Sequence, residues 1–250
     1  MPGRTLLPFL SIAALVAMWA LLAAVLQSRY LPTPLEVSHA FWTELLSGRL
    51  TYHLGATLLR VVCAFVLAMI LGTLIGLALG RNAGLNRFFD PWLILALNLP
   101  ALIIIVFCYL WIGLSETAAI IAVALNKIPS AAVTLREGAR ALDPQLDDVA
   151  QIFGHSGWRR FRSFTWPQLE PYFAAAVRSG LALIWKIVLV VEWVGRSNGV
   201  GFQINLSFSQ FDLARILVYA LSFMAIIMLI EALIIKPWES QARGWRGEAS

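Results

Sequence analysis

The sequence predicts an all-α polytopic membrane protein with about six transmembrane helices, and three observations predict it. Of 250 residues, 60% are hydrophobic and 13% charged, with a mean hydropathy of +0.77; a soluble domain carries about 25% charged and about 45–50% apolar residues. The apolar residues come in runs of about twenty, the length a helix needs to cross a bilayer. Short polar connections separate these runs, and no segment shows the alternating polarity of a membrane β-strand.

The runs can be justified in order. The first covers residues 6–26 after a lone Arg4. It is too long for the apolar core of a signal peptide and no A-x-A site follows it, so it is expected to be a retained anchor. The second spans residues 56–79, with Arg60 near its outer end, and the third, residues 91–114, contains no charge. The fourth begins near Thr117, but NKIPS at 126–130 places Lys127 and Pro129 before it is long enough to span. The fifth, residues 174–194, is interrupted by Arg178, Lys186 and Glu192, and the sixth, residues 216–235, carries Glu231. The chain is expected to be one membrane domain over 1–250, with its main bundle at 56–235 and a polar loop at 130–173.

The net charge of +5 reads as topology rather than as a nucleic-acid footprint. Six spans leave both ends on one side. With the N-terminus inside, that side holds the cations at 4, 81, 87, 127, 136, 140, 159, 160, 162, 178, 236, 243 and 246, against 29, 49, 60, 196 and 215 outside. An excess of Lys and Arg marks cytoplasmic loops, so the N-terminus and the 130–173 loop are expected in the cytosol. Cys63 and Cys108 both lie in apolar runs, where cysteine behaves as a small hydrophobe, and neither a disulfide framework nor a metal site is expected.

Ala64, Ala68, Gly72, Gly76 and Gly80 recur every four residues along the second run. That spacing lines them on one helical face, where small side chains admit a close neighbour. The face serves either packing inside the bundle or a dimer or gate surface. Lys186 and Glu192 are costly inside a membrane and mark either a structural partner or a pathway. They are six residues apart, so a direct pair within one helix is not expected, and Glu192 is expected to be half-solvated near the outer end. Lys186 would suit an anionic solute. Asn98 with Pro100, and Asn126 with Pro129, set polar groups beside helix breakers, as either simple kinks or cavity-lining breaks.

The loop stretch DDVAQIFGHSGWRRFRSFTWP, residues 147–167, is the strongest polar interruption. Val149, Ile152 and Phe153 share one helical face, and Asp143 with Pro144 supply an N-cap and a first position. Gly154 offers a bend, and a second short helix carries Trp158 and Phe161, with Pro167 ending it or opening the next element. By physics alone the stretch is either an interfacial helix on the headgroups or an element that docks a partner.

The same stretch resembles a family signature, the EAA motif E-A-A-x3-G-x9-I-x-L-P of the membrane subunits of bacterial ABC importers. Asp148, Val149 and Ala150 stand for E-A-A, Gly154 follows after three residues, and after nine more come Phe164, Trp166 and Pro167 in the Ile, Leu and Pro places. The residues PWLILALNLPALIIIVFCYLWIGLSETAAI at 91–120 resemble the third-span region of the nitrate, sulfonate and taurine group. Glu192 followed by RSNGVGF at 196–202 resembles that group's acid and S-x-G-x-G turn. The similarity covers most of 50–235.

The resemblance implies a type I ABC importer (MetI-like) permease fold in the bacterial inner membrane. It implies two separate ATPase subunits docked on the loop, a second permease copy, and a periplasmic or extracellular solute-binding protein. ATP and magnesium would be held by the partner, since this chain has no G-x-x-x-x-G-K-[ST] loop. Two rivals are a self-contained secondary transporter and an intramembrane enzyme. The first would have only Lys186 and Glu192 for coupling; the second would want a histidine in a span, whereas His39, His53 and His155 all fall in expected loops. Neither accounts for the x3-G-x9 spacing.

Overall fold

Residues that favour helix starts set most of the element boundaries. In the computed structural model, which describes residues 3–28, 30–146, 153, 157–235 and 237, α1 is Gly3–Leu26 and α2 is Pro34–Leu46. Thr33 caps α2 with a reciprocal box: its hydroxyl accepts from the Glu36 amide at 3.2 Å, and the Glu36 carboxylate accepts from the Thr33 amide at 2.8 Å. Gly48, at φ 73°, turns the chain directly into α3, Arg49–Arg81. Asn82 caps α4 (Ala83–Asn98), and α5 (Ala101–Ile112) follows after Pro100. Ser115 caps α6 (Glu116–Arg140), accepting from the Ala118 amide at 3.1 Å.

The α7 helix, Gly157–Gly195, runs for 39 residues and includes a π-turn at Phe161–Thr165. A short α8, Val200–Ser209, leads to α9, Leu213–Ile230, which Asp212 caps and which continues as a π-turn through Glu231–Ile235. No strand occurs among the described residues.

Each of the six expected spans falls on helix. Among the described residues α3, α6, α7 and α9 are each long and apolar enough to cross a membrane unbroken, and the apolar part of α1, Leu10–Leu26, is shorter. The third run is broken, at the place that Asn98 and Pro100 marked, into two helices, α4 and α5, bent by 97°. Leu99 is extended at φ −69°, ψ 125°, as a residue before proline prefers to be, and the helix ends there. The fourth run departs from expectation. Asn126, Lys127 and Pro129 stay inside a continuous 25-residue helix, so NKIPS is no boundary and the polar connection is shorter than 130–173. Helices α2 and α8 were not expected at all.

Helix α6, with Pro129 inside it, packs closely on α3. Along the Gly72–Gly80 face, α3 lies so close to α6 that a Cβ on Gly72 would sit 2.6 Å from the Ala131 Cβ. On Gly76 it would sit 2.5 Å from the Ala132 carbonyl oxygen, and on Gly80 2.5 Å from the Ala139 Cβ. Ala64, Ala68, Ala131 and Ala132 are fully buried along the same seam. The small-residue face is packed directly against α6 within the chain. The largest core cluster includes Ala64 and takes in Val61, Ile105, Val123, Ile184, Val188 and Tyr219, from five helices.

Candidate functional site

The N-terminal third of α3, the start of α6 and the end of α7 converge at one end of the bundle, and they bring charge with them. Arg60 of α3 is 4% exposed and Glu192 of α7 is not exposed at all. The Arg60 Nη1 donates to Glu192 Oε1 at 2.5 Å and to the Asn198 carbonyl at 3.0 Å. Its Nε and Nη2 form a fork on Glu116, at 2.7 and 2.6 Å, and Nη2 also donates to the Asn198 side-chain oxygen. All five guanidinium hydrogens are thus engaged. Arg196 adds a second cation, donating to Glu116 at 2.5 Å and to the Leu114 carbonyl at 2.7 Å.

The other Glu192 oxygen receives the Gly201 amide at 2.8 Å and faces the Thr57 hydroxyl at 2.9 Å. Here the glycine spacing of SNGVG acquires its reason. Gly199 has φ 106°, and a Cβ there would collide with the Glu192 carboxylate; a Cβ on Gly201 would collide with the Leu189 carbonyl. Only glycine at both places lets the turn fold down onto the buried acid. Gly199 also donates to His53 Nδ1 at 3.0 Å, and the other ring nitrogen lies 2.7 Å from the Gln203 side-chain amide nitrogen. The cluster holds charge in a fixed geometry and ties three spans to one turn.

Several expectations change here. Glu192 is not half-solvated but sealed. Arg60, expected near the outer end of the second run, is the partner that Glu192 lacked within its own helix, 132 residues away in sequence. His53 lies on α3 rather than in a loop. Lys127, expected among the cytoplasmic loop cations, is fully buried on α6, with Nζ 2.6 Å from the Ser130 hydroxyl and 3.2 Å from the Ser179 hydroxyl. Sequence reasoning missed Glu116, Thr57, Asn198 and the role of Arg60; the one available signal was an arginine inside an apolar run.

Lys186 points the opposite way from Glu192. It is exposed and lines a cavity of about 440 Å³ between α7 and α9, whose other walls include Arg178, Leu181, Trp185, Phe223, Ile227 and Glu231. Asn98 is exposed at the α4–α5 bend and donates to the Ile94 carbonyl at 2.7 Å. Asn126 is half-buried on unbroken α6.

Of the loop residues, Asp148, Val149, Ala150 and Gly154 lie outside the described residues. Phe164 is half-buried in the π-turn of α7, and Pro167 is exposed in the first turn of the α-helical stretch that follows it, one of the two places expected for that proline. The capping expected at Asp143 is present: its carboxylate accepts from the Gln145 amide at 2.8 Å.

The profile of the family described as "Binding-protein-dependent transport system inner membrane component" matches residues 68–235. The chain belongs to this family of ABC importer permeases. The aliphatic sulfonates transport permease SsuC of Escherichia coli (strain K12) is 34% identical over 197 residues, covering 78% of this chain and 75% of that one. The taurine transport permease TauC of the same organism is 23% identical over 245 residues, covering 95% and 89%. The riboflavin transport permease RibX of Chloroflexus aurantiacus is 30% identical, covering 84% and 81%.

Two solved structures share the permease fold. An inward-facing MetNI methionine ABC transporter chain aligns with TM-score 0.61 at 17% identity over 76% of this chain and 92% of its own. An amino acid ABC transporter chain aligns with TM-score 0.63 at 18% identity, over 82% and 97%. The permease therefore sits in the sulfonate and taurine-like group, with an all-helical MetI-type fold.

Proposed function

We propose that two copies of this permease form the membrane pathway for a small anionic solute of the sulfonate or taurine kind. Two separate ATPase subunits dock at residues 148–167 and drive it. The N-terminus and this loop lie in the cytosol of a bacterium, and a solute-binding protein delivers cargo to the other face. ATP and magnesium belong to the partner subunits, and the permease performs no chemistry of its own.

The observation that carries the reading is the continuity of α7. Its 39 residues begin three positions after Gly154, pass Phe164 and Pro167, reach Lys186 on the cavity, and end just beyond Glu192. At 1.5 Å per residue that is a rod of roughly 58 Å. A displacement at the loop reaches the α7–α9 cavity with no intervening hinge loop. The cavity adds support for the solute class, because its largely apolar wall carries two cations, Lys186 and Arg178, against one acid, Glu231, a balance that favours an anion with an apolar body.

The test is co-expression with a candidate ATPase, pull-down, and reconstitution. Gly154→Arg is expected to insert normally but recover no ATPase, while the wild-type complex hydrolyses ATP faster with taurine or an alkylsulfonate than with an uncharged solute of equal size. Equal ATPase recovery by the two proteins would sink the docking assignment, and indifference to the anion would sink the solute class.

A further inference from the structure

At the end of the bundle opposite Glu192, where α3 gives way to α4, Arg81, Arg87 and Arg140 line a cavity of about 610 Å³ together with Asn86 and Asp90. The charges do not cancel there. Asp90 is taken by Arg136, which lies outside the lining, and Arg140 reaches Glu137 at 3.2 Å. Arg81 and Arg87 are exposed, and no ion pair among the described residues draws either away from the cavity.

The depth of the cavity is set by its surroundings. Arg81 closes a 33-residue helix whose apolar run continues to Leu79, so its guanidinium stands where hydrocarbon gives way to headgroups. Beside it, Phe88, Phe89 and Trp92 form an edge-to-face row with ring centroids 4.9 and 5.9 Å apart, and Phe88 and Trp92 are each 64% exposed. Exposed aromatic rings of this kind sit at the membrane–water interface. The cavity is therefore polar, cationic and at headgroup level, with an apolar helix face, Ile94 and Leu95, leading into the bilayer.

We propose that this cavity holds the phosphate of an anionic phospholipid, phosphatidylglycerol or its doubled form cardiolipin. Guanidinium forks match phosphate oxygens in pairs, and basic pockets between membrane helices take such headgroups. Free phosphate offers the same oxygens, but the aromatic fringe and the apolar face beyond it serve only a ligand with acyl chains. The inference rests on embedding in a membrane and not on the import reading.

The experiment is native mass spectrometry of the full chain in detergent, titrated with phosphatidylglycerol or phosphatidylcholine. Wild type is expected to retain phosphatidylglycerol selectively. The double variant Arg81→Gln/Arg87→Gln should bind it roughly 25-fold more weakly, about fivefold per arginine. Arg162→Gln, which removes an exposed cation that does not line the cavity, should bind as wild type does. If the glutamine pair fails to insert, Arg81→Lys/Arg87→Lys keeps the charge without the fork and is expected to lie between the two. Displacement by millimolar inorganic phosphate or glycerol phosphate would overturn the lipid as occupant. So would unchanged retention in the double variant, or an equal loss in Arg162→Gln. A double variant that keeps the lipid but no longer recovers the partner ATPase would reassign the cavity to a protein contact.

Discussion

Arg60 and Lys127 are both cations buried within the helix bundle, and the protein accommodates them in opposite ways. Arg60 directs five hydrogens to two carboxylates and one asparagine, across three spans and a turn. Lys127 meets only two serine hydroxyls, one of them three residues along its own helix. The planar guanidinium fork can organise several elements at once, whereas an ammonium is a compact charge that a few lone pairs satisfy. The difference teaches that burial alone says little about a charge's role. Arg60 defines the geometry around it; Lys127 fits into a geometry defined by others.

The largest effect should come from breaking the first arrangement. Arg60→Ala leaves Glu192 buried without its cation, which costs about 3–5 kcal/mol where such a pair is cut. A thermal unfolding midpoint in detergent well below wild type is expected, and Arg60→Lys should not restore it. Intact stability in Arg60→Ala would mean that the cluster is replaceable and the contrast false.

A smaller effect is expected where Lys127 is packed. A Cβ on Gly180 would lie 2.7 Å from the Lys127 Cε, the flexible part of that side chain. Gly180→Ala should therefore lower stability by roughly 1 kcal/mol through overpacking, near the bottom of the range for such changes. A double-mutant cycle with Lys127→Ala should recover most of that loss, since the obstructing atoms are gone. An unchanged loss would show that something other than Lys127 resists the methyl group.

The smallest effect belongs to Lys127→Met, which keeps the volume and removes the buried charge. Stability within about 1 kcal/mol of wild type is expected, because a well-packed apolar replacement of a buried charge is often neutral. A loss as large as that of Arg60→Ala would erase the distinction between the two cations.

How much of this was legible differs from residue to residue. The apolar runs revealed the spans because hydrocarbon forces every backbone group into helix and filters side chains by polarity. The motif-like spacing from Asp148 to Pro167 and the turn at 196–202 were visible as strings, and they pointed to the right family. The α4–α5 bend was hidden in a run with no charge, although Pro100 marked its place. Lys127 was misplaced because counting cations along a chain treats each as solvated, and burial is not a property of position in sequence.

What the sequence determined by itself is the class of molecule: helical, membrane-embedded, built around a permease signature. Those properties follow from local composition and spacing, which a bilayer reads directly. Only the tertiary structure decided which helices meet. It set the glycine face of α3 against α6, brought Arg60 to Glu192 across 132 residues, and folded Gly199 and Gly201 onto that acid. Such pairings depend on long-range packing, where one buried charge selects its partner by geometry and not by nearness along the chain.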